Sequence, residues 1–182
     1  RLAGGWNKQS RLAASRVEAF AAIGGWLRDH GFSAPAIYAG DSSLGLAIIE
    51  DFGTLKEFAR LIEKGADEVT LYTAAASALA DLHALETPRQ LHALGRDWPI
   101  LDFDDLALNV NASLFANWFP AQDTRMRMTD QDRIRWEREL AELLDRARDF
   151  PRELTLRDYH AENLIWLPER EGRARIGLLD FQ

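Results

Sequence analysis

Asp158, Asn163 five positions later, and Asp180 at the end of the apolar run Leu178-Leu179 are the residues of this chain best suited to chemistry. Acid, amide and acid in that order form the set that phosphoryl transfer needs. The transferred group carries dispersed negative charge, so a protein serving that reaction mainly positions the reactants and holds Mg²⁺. One carboxylate faces the acceptor hydroxyl, while an amide oxygen and a second carboxylate hold the metal. Two hard oxygen donors suit Mg²⁺, which takes its other ligands from nucleotide and water.

These residues need elements to bring them together. Leu154-Thr155-Leu156 reads as a short strand feeding a polar loop, and Leu164-Ile165-Trp166-Leu167 as a second strand leaving it. Glu169-Arg170-Glu171-Gly172 makes a turn, and Ile176-Gly177-Leu178-Leu179 forms a third strand that ends on Asp180. A hairpin of this kind places Asn163 and Asp180 at the same end of paired strands.

Upstream the pattern is mostly helical. Leu12 to His30 carries apolar residues near a 3.6 period, with Gly31 at the position of a C-terminal cap. Ala36 to Ala39 and Leu46 to Ile49 read as strands around the turn Asp41-Ser42-Ser43. Thr54 and Glu57 have the spacing of a capping box that opens a helix over Leu55 to Glu63. Longer helices are expected over Asp67 to Leu85, Asp104 to Trp118 and Asp130 to Ala147, with Pro120 and Pro151 as stops. No internal repeat is visible.

The run Leu156-Arg157-Asp158-Tyr159-His160-Ala161-Glu162-Asn163 together with Leu179-Asp180-Phe181-Gln182 resembles the aminoglycoside phosphotransferase and choline kinase superfamily, relatives of protein kinases. Its wording is closest to a bacterial group of phosphotransferases that includes cell-wall amino-sugar kinases. The resemblance implies an α+β, protein-kinase-like two-lobe fold. Residues 1–50 would be part of the small nucleotide-binding lobe, and 51–182 a mostly helical large lobe truncated at its C-terminal end. It makes Asp158 the catalytic base, Asn163 and Asp180 ligands of Mg²⁺, and ATP the phosphoryl donor. Ile48-Ile49-Glu50-Asp51-Phe52-Gly53 resembles the family's hinge, where main-chain groups around Glu50, Asp51 and Phe52 would meet the adenine edge. Ala80 to Leu85 resembles the family's long large-lobe helix. Glu18 stands where a helix glutamate would orient a phosphate-contacting lysine.

The departures from the family pattern are specific. Leu156 stands where many relatives carry His, and Gln182 where protein kinases carry Gly. Lysine occurs only at positions 8, 56 and 64. Only Lys8 precedes Glu18, in a stretch that reads neither as a strand nor as a Gly-rich loop. The chain stops two residues after Asp180, where relatives continue into helices, so it reads as a fragment.

Composition excludes several classes. With 182 residues the chain can bury roughly 70% of its unfolded surface, enough for one sizeable core. A net charge of -7 leaves no basic stripe for nucleic acid. Cysteine is absent, no apolar stretch approaches the roughly 20 residues of a membrane span, and no signal-peptide pattern opens the chain. Cytoplasm is the expected location. His160 and Glu162 alternate with Asp158, but a zinc site wants three or four N or S ligands and is disfavoured. Arg157 reads either as structural or as a phosphate-neutralising group. His83 and His92 read as surface or packing residues. Trp98, Trp118 and Phe119 read as core or as lining of an acceptor pocket. The leading expectation is an ATP-dependent phosphotransferase acting on a hydroxyl of a small molecule, an amino sugar by motif wording. The rival is a catalytically silent kinase-like module that binds nucleotide or a partner. A protein kinase is a third option, weakened because no activation segment follows Asp180.

Overall fold

Ala19, Ala22, Ile23 and Leu27 recur on one helical face and are all buried, which makes helix α1 (Val17–Asp29) amphipathic and fixes its orientation. Gly31, at φ 78, ends it. The Gly31 amide bonds the Arg28 carbonyl at 2.9 Å and the Phe32 amide the Leu27 carbonyl at 3.0 Å, satisfying carbonyls the last turn leaves open. The expected cap is therefore present. The computed structural model describes residues 16–122 and 124–181. Leu12, Lys8 and Gln182 lie outside the described residues.

The order continues with β1 (Ile37–Asp41), β2 (Leu46–Ile49), α2 (Phe58–Glu63), α3 (Glu68–His83), β3 (Gln90–Ala93) and β4 (Arg96–Pro99). Then follow α4 (Asp105–Gln122), α5 (Asp130–Ala147), β5 (Leu164–Trp166) and β6 (Ile176–Leu178). Among the described residues the chain is thus α+β, with five α-helices and three two-stranded antiparallel sheets, β1–β2, β3–β4 and β5–β6. None of these helices is long and apolar enough to cross a membrane. The described residues divide into two units, 16–100 with 153–181, and 101–152.

In the larger unit Leu27, Phe58, Leu71, Leu82, Leu156, Leu164 and Phe181 are among the residues of one core. The hairpin β5–β6 lies within it, with Leu164 opposite Leu178 and Trp166 opposite Ile176. A two-stranded hairpin is marginal alone. Here both of its edges are occupied. Ser33 runs beside Gly177 and accepts the Leu178 amide at 2.7 Å, while Lys56 accepts the Trp166 amide at 2.9 Å beside the Glu57–Ile165 bridge. Gly177 is demanded by contact: a Cβ there would lie 2.9 Å from Ile165 Cβ and 3.0 Å from the Phe52 ring. Gly177→Ala is therefore expected to lose about 1–3 kcal/mol of stability, read as a lowered denaturant midpoint at unchanged slope.

The smaller unit is the helix pair α4–α5. Thr129 and Asp132 close a reciprocal capping box at the start of α5, and Phe115 stacks on Trp136 with ring centroids 5.0 Å apart. Trp118 and Phe119 are exposed on α4.

Three local expectations differ from the structure. Residues 54–57 form no capping box. Glu57 is extended (φ -61, ψ 138) because it pairs with the edge of β5, so the helix begins at Phe58. Leu154 to Leu156 is not a strand. Its leucines are buried, but the Leu156 carbonyl is turned back to accept the Asp158 amide. Helix α4 runs past Pro120 to Gln122. Proline cannot donate to the carbonyl four residues back, and Arg133 of α5 supplies the Ala116 carbonyl with a donor at 3.4 Å. The β3–β4 hairpin has no counterpart among the sequence expectations.

Candidate active site

The polar loop after Leu156 is built from tight main-chain turns. The Asp158 amide reaches back to the Leu156 carbonyl at 2.8 Å across Arg157, whose φ is 59. A three-residue turn with positive φ at its centre is rare and strained, and such strain collects at functional sites. The Asp158 carbonyl then accepts the His160 amide at 3.0 Å and Asn163 Nδ2 at 3.0 Å. Asp158 is thus held by its main chain, and its carboxylate is exposed. Tyr159 anchors the loop from below, donating its hydroxyl to the Ala75 carbonyl of α3 at 2.8 Å. Burial pushes that phenol up to about 12, so it stays a donor at neutral pH.

Across the hairpin, the Leu179 amide donates to the Asn163 carbonyl at 3.0 Å. This bond carries the ladder one step beyond β5–β6 and brings Asn163 and Asp180 to the same end, as the strand order predicted. Asp180 has φ 48, and the next residue, Phe181, is buried and stacks on Phe20 of α1 at 4.9 Å. Gly24 makes room for the Phe181 ring, which would lie 3.1 Å from a Cβ at that position. Asp180 is therefore fixed on one side by the ladder and on the other by a buried ring.

Asn163 and Asp180 fit Mg²⁺. Committing Asn163 Nδ2 to the loop turns its planar amide so that the oxygen, a hard donor, faces away from the Asp158 carbonyl. One amide oxygen and one carboxylate are too few for an all-protein cage and suit an ion that arrives with nucleotide phosphates. No group of three or more His, Cys, Asp or Glu that could hold a metal occurs among the described residues. His160 instead lies against the loop, its Nε2 3.4 Å from Asn163 Nδ2.

Glu18 sits in the first turn of α1 with 2% of its surface exposed. Arg16 bonds its carboxylate at 2.7 Å, and Arg96 of β4 approaches at 3.5 Å. The hydrogen bond from Arg16 holds the carboxyl below its ordinary range, with the charge of Arg96 adding to the effect. Glu18 lines a cleft of about 480 Å³ with Arg96 and Trp98.

At the expected hinge, the Glu50 amide is taken by the Ala36 carbonyl at 2.8 Å. Its carboxylate accepts the Ala36 amide at 3.1 Å and Arg170 Nη2 at 2.9 Å, and Arg170 also reaches Ser33 at 2.7 Å. Glu50 therefore clasps β5–β6 through its side chain, a role the sequence did not indicate. Asp51 accepts the Gly53 amide at 2.8 Å, a local turn, and Phe52 is buried against Ile165 and Leu167. Nothing in the local sequence marks Arg96 or Arg170 as partners of Glu18 and Glu50. Gly95 is the one local signal that could have marked the hairpin carrying Arg96.

A model of the phosphotransferase enzyme family matches residues 8–182. An N-acetylmuramate/N-acetylglucosamine kinase of Caulobacter vibrioides is 46% identical over 185 residues, covering 100% of this chain and 50% of its own length. Proteins of the same name are 28% identical in Pseudomonas putida, over 90% of this chain and 43% of theirs, and 24% identical in Neisseria meningitidis serogroup B, over 81% and 41%. The chain spans about half the length of the curated relatives it matches.

Proposed function

Because this chain belongs to the phosphotransferase enzyme family, we propose that the protein moves the γ-phosphoryl of ATP to a hydroxyl of an amino sugar of the N-acetylmuramate or N-acetylglucosamine type. The observation that carries this reading is the bond from the Leu179 amide to the Asn163 carbonyl. Through it a loop carboxylate, an amide and a second carboxylate share one end of a buried hairpin. The relatives' names supply the acceptor class.

In this reading Asp158 aligns the acceptor hydroxyl and takes its proton as the oxygen–phosphorus bond forms. An ordinary carboxylate suffices, because the proton leaves late in a loose transition state. Asn163 and Asp180 would hold Mg²⁺, and the bound Mg²⁺–nucleotide supplies the activated phosphoryl with its charge neutralised. Main chain at Asp51 and Phe52 would meet the adenine, the Glu50 amide being taken by Ala36. Glu18 would orient a cation toward the phosphates. Residues 1–50 would be part of the nucleotide-binding lobe of a kinase-like fold and 51–182 would be in its large lobe.

The test is Mg²⁺-dependent ATP consumption by the intact protein with N-acetylmuramate, N-acetylglucosamine, aminoglycosides and choline-like alcohols as acceptors. Acceptor-dependent turnover with the amino sugars is expected. Nucleotide binding without turnover on any acceptor would favour the silent module instead.

A further inference from the structure

We propose that the β3–β4 hairpin is a strap that holds α1 and β1, and that Arg96 is a positioning residue for Glu18. The proposal rests on the reading of Glu18 as the carboxylate that orients a phosphate-contacting cation. A carboxylate this deeply buried must be paired to stay ionised. Arg16 lies two residues from Glu18 and moves with it. Arg96 reaches Glu18 from a different element, so it can fix where the carboxylate sits.

The hairpin is built to hold a position. Its strands pair without a break from Gln90–Pro99 to Ala93–Arg96. The two turn residues, Leu94 and Gly95, both have positive φ, 51 and 72, the twist that matches a tight two-residue hairpin. Glycine adopts that conformation freely, but leucine does not. A strained leucine persists where its surroundings over-determine it. Here the Leu94 side chain seats on Gly40 of β1 so closely that a Cβ at position 40 would lie 2.9 Å from Leu94 Cδ2. At the other end, Leu91 and Ile100 pack into the core that contains Leu82 of α3, and the Ile100 amide closes the base on the Arg89 carbonyl at 3.0 Å. The strap is rooted after α3, its tip rests on β1 and its charge rests on α1. The Phe181–Phe20 stack separately ties α1 to the end of the β5–β6 hairpin that carries Asp180.

Arg96→Ala and Arg96→Lys in the intact protein test this, with steady-state kinetics in nucleotide and acceptor and hydrogen exchange of the α1 amides. Arg96→Ala is expected to lower kcat/KM for nucleotide about ten- to a hundredfold, with acceptor KM unchanged and α1 exchange faster. Arg96→Lys should recover most of the loss, since one cation at 3.5 Å suffices. In a Glu18→Gln background, Arg96→Ala should add less than about twofold, because its target is already gone. Gly40→Ala, which displaces Leu94 without altering a charge, should shift the nucleotide kinetics in the same direction. Unchanged nucleotide kinetics in Arg96→Ala, or an undiminished loss in the Glu18→Gln background, overturns the proposal. If the unmutated protein phosphorylates no acceptor, the functional reading fails, and α1 exchange alone decides the strap. Faster exchange in Arg96→Ala supports it, and unchanged exchange overturns it.

Discussion

Asp158→Asn is expected to lower turnover about 10²- to 10⁴-fold while leaving nucleotide affinity and the thermal midpoint where they are. The separation follows from how the loop is held. The folding contacts of Asp158 are main-chain ones: its amide to Leu156 at 2.8 Å, and its carbonyl to the His160 amide at 3.0 Å and to Asn163 Nδ2 at 3.0 Å. Asparagine keeps all of these and nearly the same volume. What it removes is a proton acceptor on an exposed side chain. Nucleotide affinity should survive, because the substitution keeps the main-chain bond to Asn163 Nδ2, while Glu50 to Phe52, Glu18 and Asp180 lie on other segments. The measurement is steady-state turnover at saturating amino sugar, paired with calorimetric nucleotide binding. Retention of turnover within about threefold would remove Asp158 from the role of base. A loss of binding in parallel with rate would make the loop a scaffold for nucleotide rather than a catalytic element.

Much of this site could be read from the chain because its decisive contacts are local or follow strand alternation. The loop from Asp158 to Asn163 closes on itself, and the hairpin Leu164–Leu178 follows from apolar runs around a turn, so the placement of Asn163 and Asp180 at one end of it follows from order alone. What escaped was set by partners distant in sequence. Thr54 and Glu57 satisfy a local capping pattern, yet the edge of β5 competes for Glu57 and prevails, because a buried strand edge cannot be left unpaired. The hinge pattern concerns the Glu50 backbone, whereas its carboxylate is held by Arg170, 120 residues away. Pro120 stops an isolated helix, but here an arginine from the neighbouring helix supplies the missing donor. The β3–β4 strands are short and rich in polar residues, and their turn places leucine where glycine or asparagine would be the signal. Arg96 beside Glu18 is hidden for the same reason, since it comes from that hairpin.

Replacing Asp180 separates a metal ligand from a turn residue more sharply than any other substitution here. Asp180 takes φ 48, a left-handed conformation that asparagine tolerates at least as well as aspartate and glycine better still. Were it only a turn residue, Asp180→Asn and Asp180→Gly would hold stability within about 1 kcal/mol of the parent and leave activity intact. As a ligand of Mg²⁺, it contributes a charge that neither replacement supplies. The expected result is therefore kcat down about 10²- to 10³-fold and half-maximal activity displaced to higher Mg²⁺, beyond what any change in thermal midpoint accounts for. Asn should retain more than Gly, because its amide oxygen can still ligate weakly while glycine offers nothing. Glutamate should not rescue, since Phe181 stacked on Phe20 and the Leu179–Asn163 bond fix the main chain on both sides and leave no slack for an added methylene. The measurement is a Mg²⁺ titration of turnover beside thermal denaturation for each variant. An Asp180→Asn protein whose Mg²⁺ dependence matches the parent's would reduce Asp180 to a conformational residue and leave Asn163 without a partner for the ion.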